Sequence, residues 1–185
     1  MKKTFLFLTS FLIVSCLLSA RPYTTSASQA QAVTVQEIEP FVYFCVRYKG
    51  PFSQIGEAIG RLMEAASLQN IAPQGAIIGI YYSSPAEVSA EALEWEIGFP
   101  VTPQAFVQAP LEKKEWNFTK VAGALHKGSY ETTGDTVTKI LDWMDANGYA
   151  QAGPMLERYL DMDPSSIKPE DLRTEIWVPI KKKET

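Results

Sequence analysis

Two stretches carry the side chains best suited to holding a small molecule: Leu172–Ile180, LRTEIWVPI, and Leu93–Val101, LEWEIGFPV. At an offset of 79, Leu93 meets Leu172, Glu96 meets Glu175, Ile97 meets Ile176 and Pro100 meets Pro179. Both alternate with period two, as half-buried strands do. In the second copy Leu172, Thr174, Ile176, Val178 and Ile180 share one face, the expected core face, while Arg173, Glu175 and Trp177 share the other. A carboxylate two residues from a tryptophan, on the non-core side, can form one wall of a binding groove. The ring stacks on a flat ligand and the charge meets a cation. The same pattern also fits a solvent-facing strand edge with an ordinary surface glutamate.

Other chemistries have less to work with. His126 is the single histidine, so no histidine-based metal cluster exists and a Ser-His-Asp triad would have to be built on it. It ends a strand just before a glycine turn, which fits a structural or rim role. No GxSxG, CxxC or P-loop motif occurs, which removes the commonest hydrolase, metal and nucleotide chemistries. No cofactor or metal is expected. Trp95 and Trp143 read as core residues. Glu157 and Arg158 read as strand-surface charges, although Glu157 shares a face with Tyr159.

An internal repeat positions these residues. Tyr48-Lys49-Gly50-Pro51-Phe52 aligns with His126-Lys127-Gly128-Ser129-Tyr130 at an offset of 78, after which Gly56 meets Gly134, Gly75 meets Gly153 and Tyr81 meets Tyr159. The identities gather at turns and strand ends, where backbone geometry restricts the choice of residue. Each half (about 35–101 and 116–181) reads as an apolar strand (Phe41–Tyr48; Phe118–His126), a glycine turn, and an amphipathic helix (Ser53–Leu68; Thr133–Ala146). Two closing strands follow (Ala76–Ser83 with Leu93–Val101; Met155–Met162 with Leu172–Ile180). Val137, Ile140, Leu141 and Met144 recur at helical spacing, and Asn147-Gly148 supplies the stop. The order βαββ, twice, predicts an α+β domain: duplicated units with pseudo-twofold symmetry, an antiparallel sheet, two main helices and a central groove. Residues 102–115 read as the loop joining the halves.

Parity along each strand predicts what lines that groove. Met155, Glu157 and Tyr159 point one way on their strand, and Ile77, Gly79 and Tyr81 correspond to them in the first half. If the non-core faces of paired strands coincide, Tyr159, Glu175 and Trp177 line one side. Tyr81, Gly79, Glu96 and Gly98 then line the other, with the glycines leaving room. Aromatics around a carboxylate suit a flat apolar molecule, neutral or cationic.

The first residues differ in kind from the domain. Met1-Lys2-Lys3 followed by apolar Phe5 to Val14 reads as an export signal too short to span a bilayer. Ile13-Val14-Ser15-Cys16 resembles a bacterial lipobox, which makes Cys16 the candidate lipidation site. The protein is then an exported lipoprotein, membrane-anchored and facing the periplasm or cell exterior. Ordinary cleavage after Ala27 or Ala32 is the rival. On this reading residues 1–15 are the leader, 16–32 a flexible tether rich in Ser, Thr, Ala and Gln, and 33–183 the domain. Removing residues 1–15 takes two of the 17 basic residues and no acidic one, leaving 15 against 21, a net of −6. That balance argues against nucleic acid as a partner. With two cysteines, one of them lipidated, a disulfide framework is excluded and Cys45 reads as a small buried hydrophobe.

Taken together, VRYKGPFSQIGEAIGRL, ALHKGSYETTGDTVTKILDWM, GPMLERYLDMDP and LRTEIWVPI resemble the GyrI-like family, the effector-binding domain of bacterial multidrug-responsive transcription activators. They cover nearly all of residues 35–181 in the family's order. The resemblance implies two βαββ units about a pseudo-twofold axis, with a groove whose ligand is often cationic and aromatic. It implies Glu175 as the groove carboxylate and, less tightly, Tyr159 and Trp177 as its aromatic partners. Some stand-alone relatives are small-molecule hydrolases that use a groove Glu and an aromatic hydroxyl, which here would be Glu175 and Tyr159. Others bind a protein target, as in inhibition of DNA gyrase. The chain departs from the regulators: no DNA-binding helical segment precedes the repeat, and an export signal stands there instead. Small-molecule binding is the leading expectation, with a hydrolase or a protein-binding inhibitor as alternatives.

Overall fold

In the computed structural model, which describes residues 32–161 and 163–184, each half turns from its first long strand into its helix through a glycine that no other residue replaces without strain. Gly50 and Gly128 sit at φ +144° and +145°, a region closed to side chains with a Cβ. The strands that lead into them are β2 (Phe41–Lys49) and β6 (Lys120–Lys127). One 3-10 turn after each glycine, the helices begin: α1 (Ile55–Leu68) and α2 (Thr133–Ala146). α1 buries Ala58, Leu62, Ala65 and Ala66, and α2 buries Thr136, Ile140 and Met144, a one-sided stripe at helical spacing. Gly148, at φ +69°, stops α2 as expected, and Asn70, at φ +56°, does the same for α1.

Two antiparallel strands close each half: β3 (Ile77–Tyr81) with β4 (Glu94–Pro100), and β8 (Met155–Tyr159) with β9 (Arg173–Lys182). The duplicated βαββ order is therefore present, in an α+β fold. Three short strands add to it: β1 (Thr34–Glu37), β5 (Glu112–Trp116) and β7 (Tyr149–Gln151). β5 corrects the expectation of a plain loop over 102–115. Its sequence, EKKEW, is too charged to read as a strand, and it is tolerated because it lies on a sheet edge.

The path through the sheet, β1-β6-β9-β8-β3-β4-β2-β5, reads the same from either end once each strand is exchanged for its repeat counterpart. The halves meet at β3 and β8, with Ile77 opposite Tyr159, Gly79 opposite Glu157 and Tyr81 opposite Met155. The edges are exchanged: β1 precedes the first half yet pairs with β6 of the second, and β5 precedes the second yet pairs with β2 of the first. Both helices lie on one face, α1 over β2 and β4, α2 over β6, β7 and β9. A core lies under each: Leu62 of α1 packs with Trp95, Ile97 and Phe99, and Ile140 of α2 with Ala122, Ile176 and Val178. A third core fills the reverse face, around Tyr43, Cys45, Ile78, Ile80, Trp116, Leu156 and Trp177.

Candidate ligand-binding groove

Because each helix covers the outer strands of its own half, the central pair β3–β8 is left as the floor of a groove between α1 and α2. Its volume is about 1770 Å³. One wall is Ile55, Gly56, Ile59 and Met63 of α1, the other Thr133, Gly134, Val137 and Leu141 of α2, residue for residue the repeat's counterparts. Ile77, Tyr81, Met155, Glu157 and Tyr159 form the floor. The floor tyrosines are held edge-on by equivalent rings, Tyr81 by Phe52 at 5.0 Å and Tyr159 by Tyr130 at 5.4 Å.

At the pseudo-twofold axis three oxygens meet. The hydroxyls of Tyr81 and Tyr159 are 2.6 Å apart, and they lie 3.0 and 3.1 Å from Glu157 Oε2. Glu157 is 6% exposed and forms no salt bridge among the described residues. Burial raises its carboxyl above the usual glutamate value, although hydrogen bonds from Tyr81, Tyr159 and Thr133 work against the rise. Burial also drives both tyrosine hydroxyls well above the ordinary tyrosine value, so they remain protonated donors. The cluster exists because Gly79 faces Glu157. A Cβ at Gly79 would lie 2.8 Å from the Tyr81 hydroxyl and 3.0 Å from that of Tyr159.

The charged residues that line the groove, among those described, are Glu87, Glu131, Glu157 and Asp161, all acidic. Asp161 is neutralised by Arg173, whose Nη2 donates to Oδ1 at 2.7 Å. The other three have no basic partner in the groove. An apolar cleft floored by tyrosines and a buried carboxylate can stack an aromatic group and offset a positive charge.

The family model of the GyrI-like small molecule binding domain matches residues 31–181. The chain belongs to the GyrI-like family. Its fold is similar to the EcmrR C-terminal domain, at 18% identity and a TM-score of 0.71, over 83% of this chain and 99% of that one. It spans 57% of the chain in the EcmrR–DNA complex. A hydrolase from Listeria innocua is similar at 14% identity and a TM-score of 0.61, over 80% of this chain and 91% of that one. SAV2435, in a structure bound to tetraphenylphosphonium, is similar at 13% identity and a TM-score of 0.56, over 82% and 94%. These identities establish a shared fold. None of the curated proteins matches the chain in sequence.

In this GyrI-like domain the groove gathers only part of the expected set. Tyr81 and Tyr159 are in it. Glu175, Trp177 and Glu96 are not: they lie on the reverse face of the sheet. The pairing register decides this. Glu175 sits opposite Arg158 and Trp177 opposite Leu156, so both share a face with Arg158, whereas Tyr159 and Glu157 sit opposite Thr174 and Ile176 on the helix face. Glu96 likewise sits opposite Ile80, and Tyr81 opposite Trp95. The expected union of Tyr159 with Glu175 on one wall is therefore corrected. So is the space expected at Gly98, where a Cβ would lie 2.3 Å from the Phe44 carbonyl oxygen.

On the reverse face the two repeat-related carboxylates are each paired. Arg158 donates to Glu175 Oε2 at 2.6 Å while its guanidinium lies 4.8 Å from the Trp177 ring centroid. Glu96, 1% exposed, accepts from Tyr43 at 2.6 Å, from Tyr82 at 2.8 Å and from Lys114. Burial first, then the bond to Glu96, pushes the Tyr82 hydroxyl up to about 12. Trp95 is core, its indole N–H donating to the Gly50 carbonyl at 2.8 Å. His126 is buried between Thr136, Thr132 and the Ser129 carbonyl, a structural position. Cys45 is fully buried, and burial raises its thiol far above the usual value. The residue that strand reading passed over is Glu157. The signal for it was parity, since it shares the face of Met155 and Tyr159. Cys16 and the rest of the leader and tether up to residue 31 lie outside the described residues.

Proposed function

We propose that this GyrI-like domain binds small aromatic cations in the groove between α1 and α2, with Glu157 as counter-charge and Tyr81 and Tyr159 as the stacking floor. The observation that carries the reading is a buried carboxylate with no basic partner among the described residues, on the floor of an apolar groove whose other described charged residues are acidic. An ionised carboxylate buried without a partner is costly, so the site favours a ligand that supplies the missing charge. SAV2435, similar in fold, is a tetraphenylphosphonium-bound protein, which supports the ligand class. The test is titration of the protein with tetraphenylphosphonium, followed by mass spectrometry of the recovered ligand. Saturable uptake of intact cation, weakened in Glu157→Gln, supports the reading. Absence of saturable binding overturns it. Turnover of a strained electrophilic substrate, lost in Glu157→Gln, would assign hydrolysis instead. The reading includes export and membrane anchoring through Cys16, so the ligand would be met outside the cytoplasm.

A further inference from the structure

Three oxygens at mutual distances of 2.6, 3.0 and 3.1 Å make a triangle with three edges, each within hydrogen-bond range. Tyr81 and Tyr159 bring one proton each. With an ionised Glu157 two protons must serve three edges, and one pair of oxygens faces lone pair to lone pair. A third proton, on the carboxyl, closes a ring in which every oxygen donates once and accepts once. We propose that, without a ligand, the protein holds Glu157 as the neutral acid, closing this ring, and that a bound aromatic cation takes the place of the carboxyl proton. Binding one monovalent cation then releases one proton to solvent. The carboxylic acid becomes a carboxylate paired with the ligand, and total charge is conserved.

The surroundings agree with the geometry. Tyr81 faces Glu157 from β3, and Tyr159 does so from its own strand. Tyr130 and Glu131 reach the groove from the turn ahead of α2, and Thr133 from the start of α2. β9 presents Ile176 and Thr174 to this face, α1 presents Ile55 and Ile59, and Glu87 stands at the rim. Asp161, two residues beyond the end of β8, is already held by Arg173. No basic side chain among these described residues can stand in for the proton. The rise in the Glu157 carboxyl is in the same direction. Gly79 completes the arrangement: a second carboxylate at its repeat-related position would have no room beside the two hydroxyls.

This inference rests on the cation-binding reading, and the experiment separates the two. Tetraphenylphosphonium is titrated into the full chain by calorimetry in buffers of different ionisation enthalpy, from mildly acidic to mildly alkaline pH. Expected is release of close to one proton per cation below the carboxyl's own titration point, falling towards zero above it. Affinity should rise about tenfold per pH unit over the lower range. In Glu157→Gln both the release and this pH dependence should vanish. The ring is checked without ligand by following the glutamate carboxyl carbons by NMR against Glu157→Gln. One resonance, missing in the variant, should titrate well above the others. Binding with no proton release, or a Glu157 resonance that titrates with the surface glutamates, overturns the exchange and leaves cation binding standing. No binding at any pH overturns both.

Discussion

The hydroxyls of Tyr81 and Tyr159, repeat counterparts 78 positions apart, touch at 2.6 Å across the axis that relates the two halves. Each half supplies one ring and the second half alone supplies the carboxylate, so the centre of a nearly symmetric groove is chemically one-sided. Because both hydroxyls bond the same Glu157 oxygen, their contributions are coupled. Tyr81→Phe and Tyr159→Phe should each cost about 1 kcal/mol of unfolding free energy. The double variant should cost less than the sum, with a coupling of about 0.5–1 kcal/mol in a denaturant double-mutant cycle. Strict additivity would mean that the three groups do not act as a unit.

Gly79→Ala tests the close approach. Its Cβ would enter the space of both hydroxyls, forcing them apart at a cost of about 1–3 kcal/mol, and cation binding should weaken with it. Gly134→Ala is the contrast. At that position, in the first turn of α2, an added Cβ meets nothing within 4 Å, and stability should rise by up to about 1 kcal/mol. Thermal unfolding of the two variants should move in opposite directions.

Which carboxylate the ligand meets is decided by comparing three substitutions in tetraphenylphosphonium titrations. Glu157→Gln should lose about 1.5–3 kcal/mol of binding free energy, the scale for a bond to a charged group. Glu175→Gln, which breaks a partly exposed ion pair on the reverse face, should lose less than about 0.5 kcal/mol. Glu96→Gln should leave affinity nearly intact but destabilise the fold by roughly 1–3 kcal/mol, since Tyr43, Tyr82 and Lys114 all converge on that carboxylate. A Glu175→Gln loss as large as that of Glu157→Gln would move the site to the other face.

Stability should follow pH with a sign set by Glu157. Its carboxyl is raised in the folded state by burial, so the folded protein holds that proton more tightly than the unfolded chain does. The contribution is fully present below the unfolded value, about 4.3 for a glutamate, and is lost as pH rises through the raised folded value. Glu157→Gln should therefore lose to the parent least, or even gain on it, towards neutral pH in chemical denaturation. Asp161 works in the opposite sense. The hydrogen bonds from Arg173 lower its carboxyl, so its contribution is present above the unfolded value and disappears as pH falls through the lowered one.

If Cys16 carries the proposed lipid, Cys16→Ser should block lipid labelling and release the protein from membranes. Labelling that persists unchanged in the variant would rule out Cys16 as the acceptor.

Much of this architecture is legible in one dimension, because it depends on local rules. Gly50 and Gly128 mark the repeat because only glycine takes their φ. Thr133–Ala146 is a helix because its apolar residues recur at helical spacing up to Gly148. Parity within a strand is equally local, and it correctly joined Tyr159 with Glu157 and Glu175 with Trp177. What parity cannot supply is which face of one strand continues onto the next. That depends on hydrogen-bond register between strands, and a slip of one residue exchanges the faces. Only the folded sheet set Arg158 opposite Glu175, turning Glu175 and Trp177 to the reverse side and leaving Glu157 beneath the groove. The same long-range pairing placed β1 and β5 on each other's halves and put both helices on one face. Contacts between residues far apart in the chain thus made the site from side chains whose local sequence marked them as ordinary.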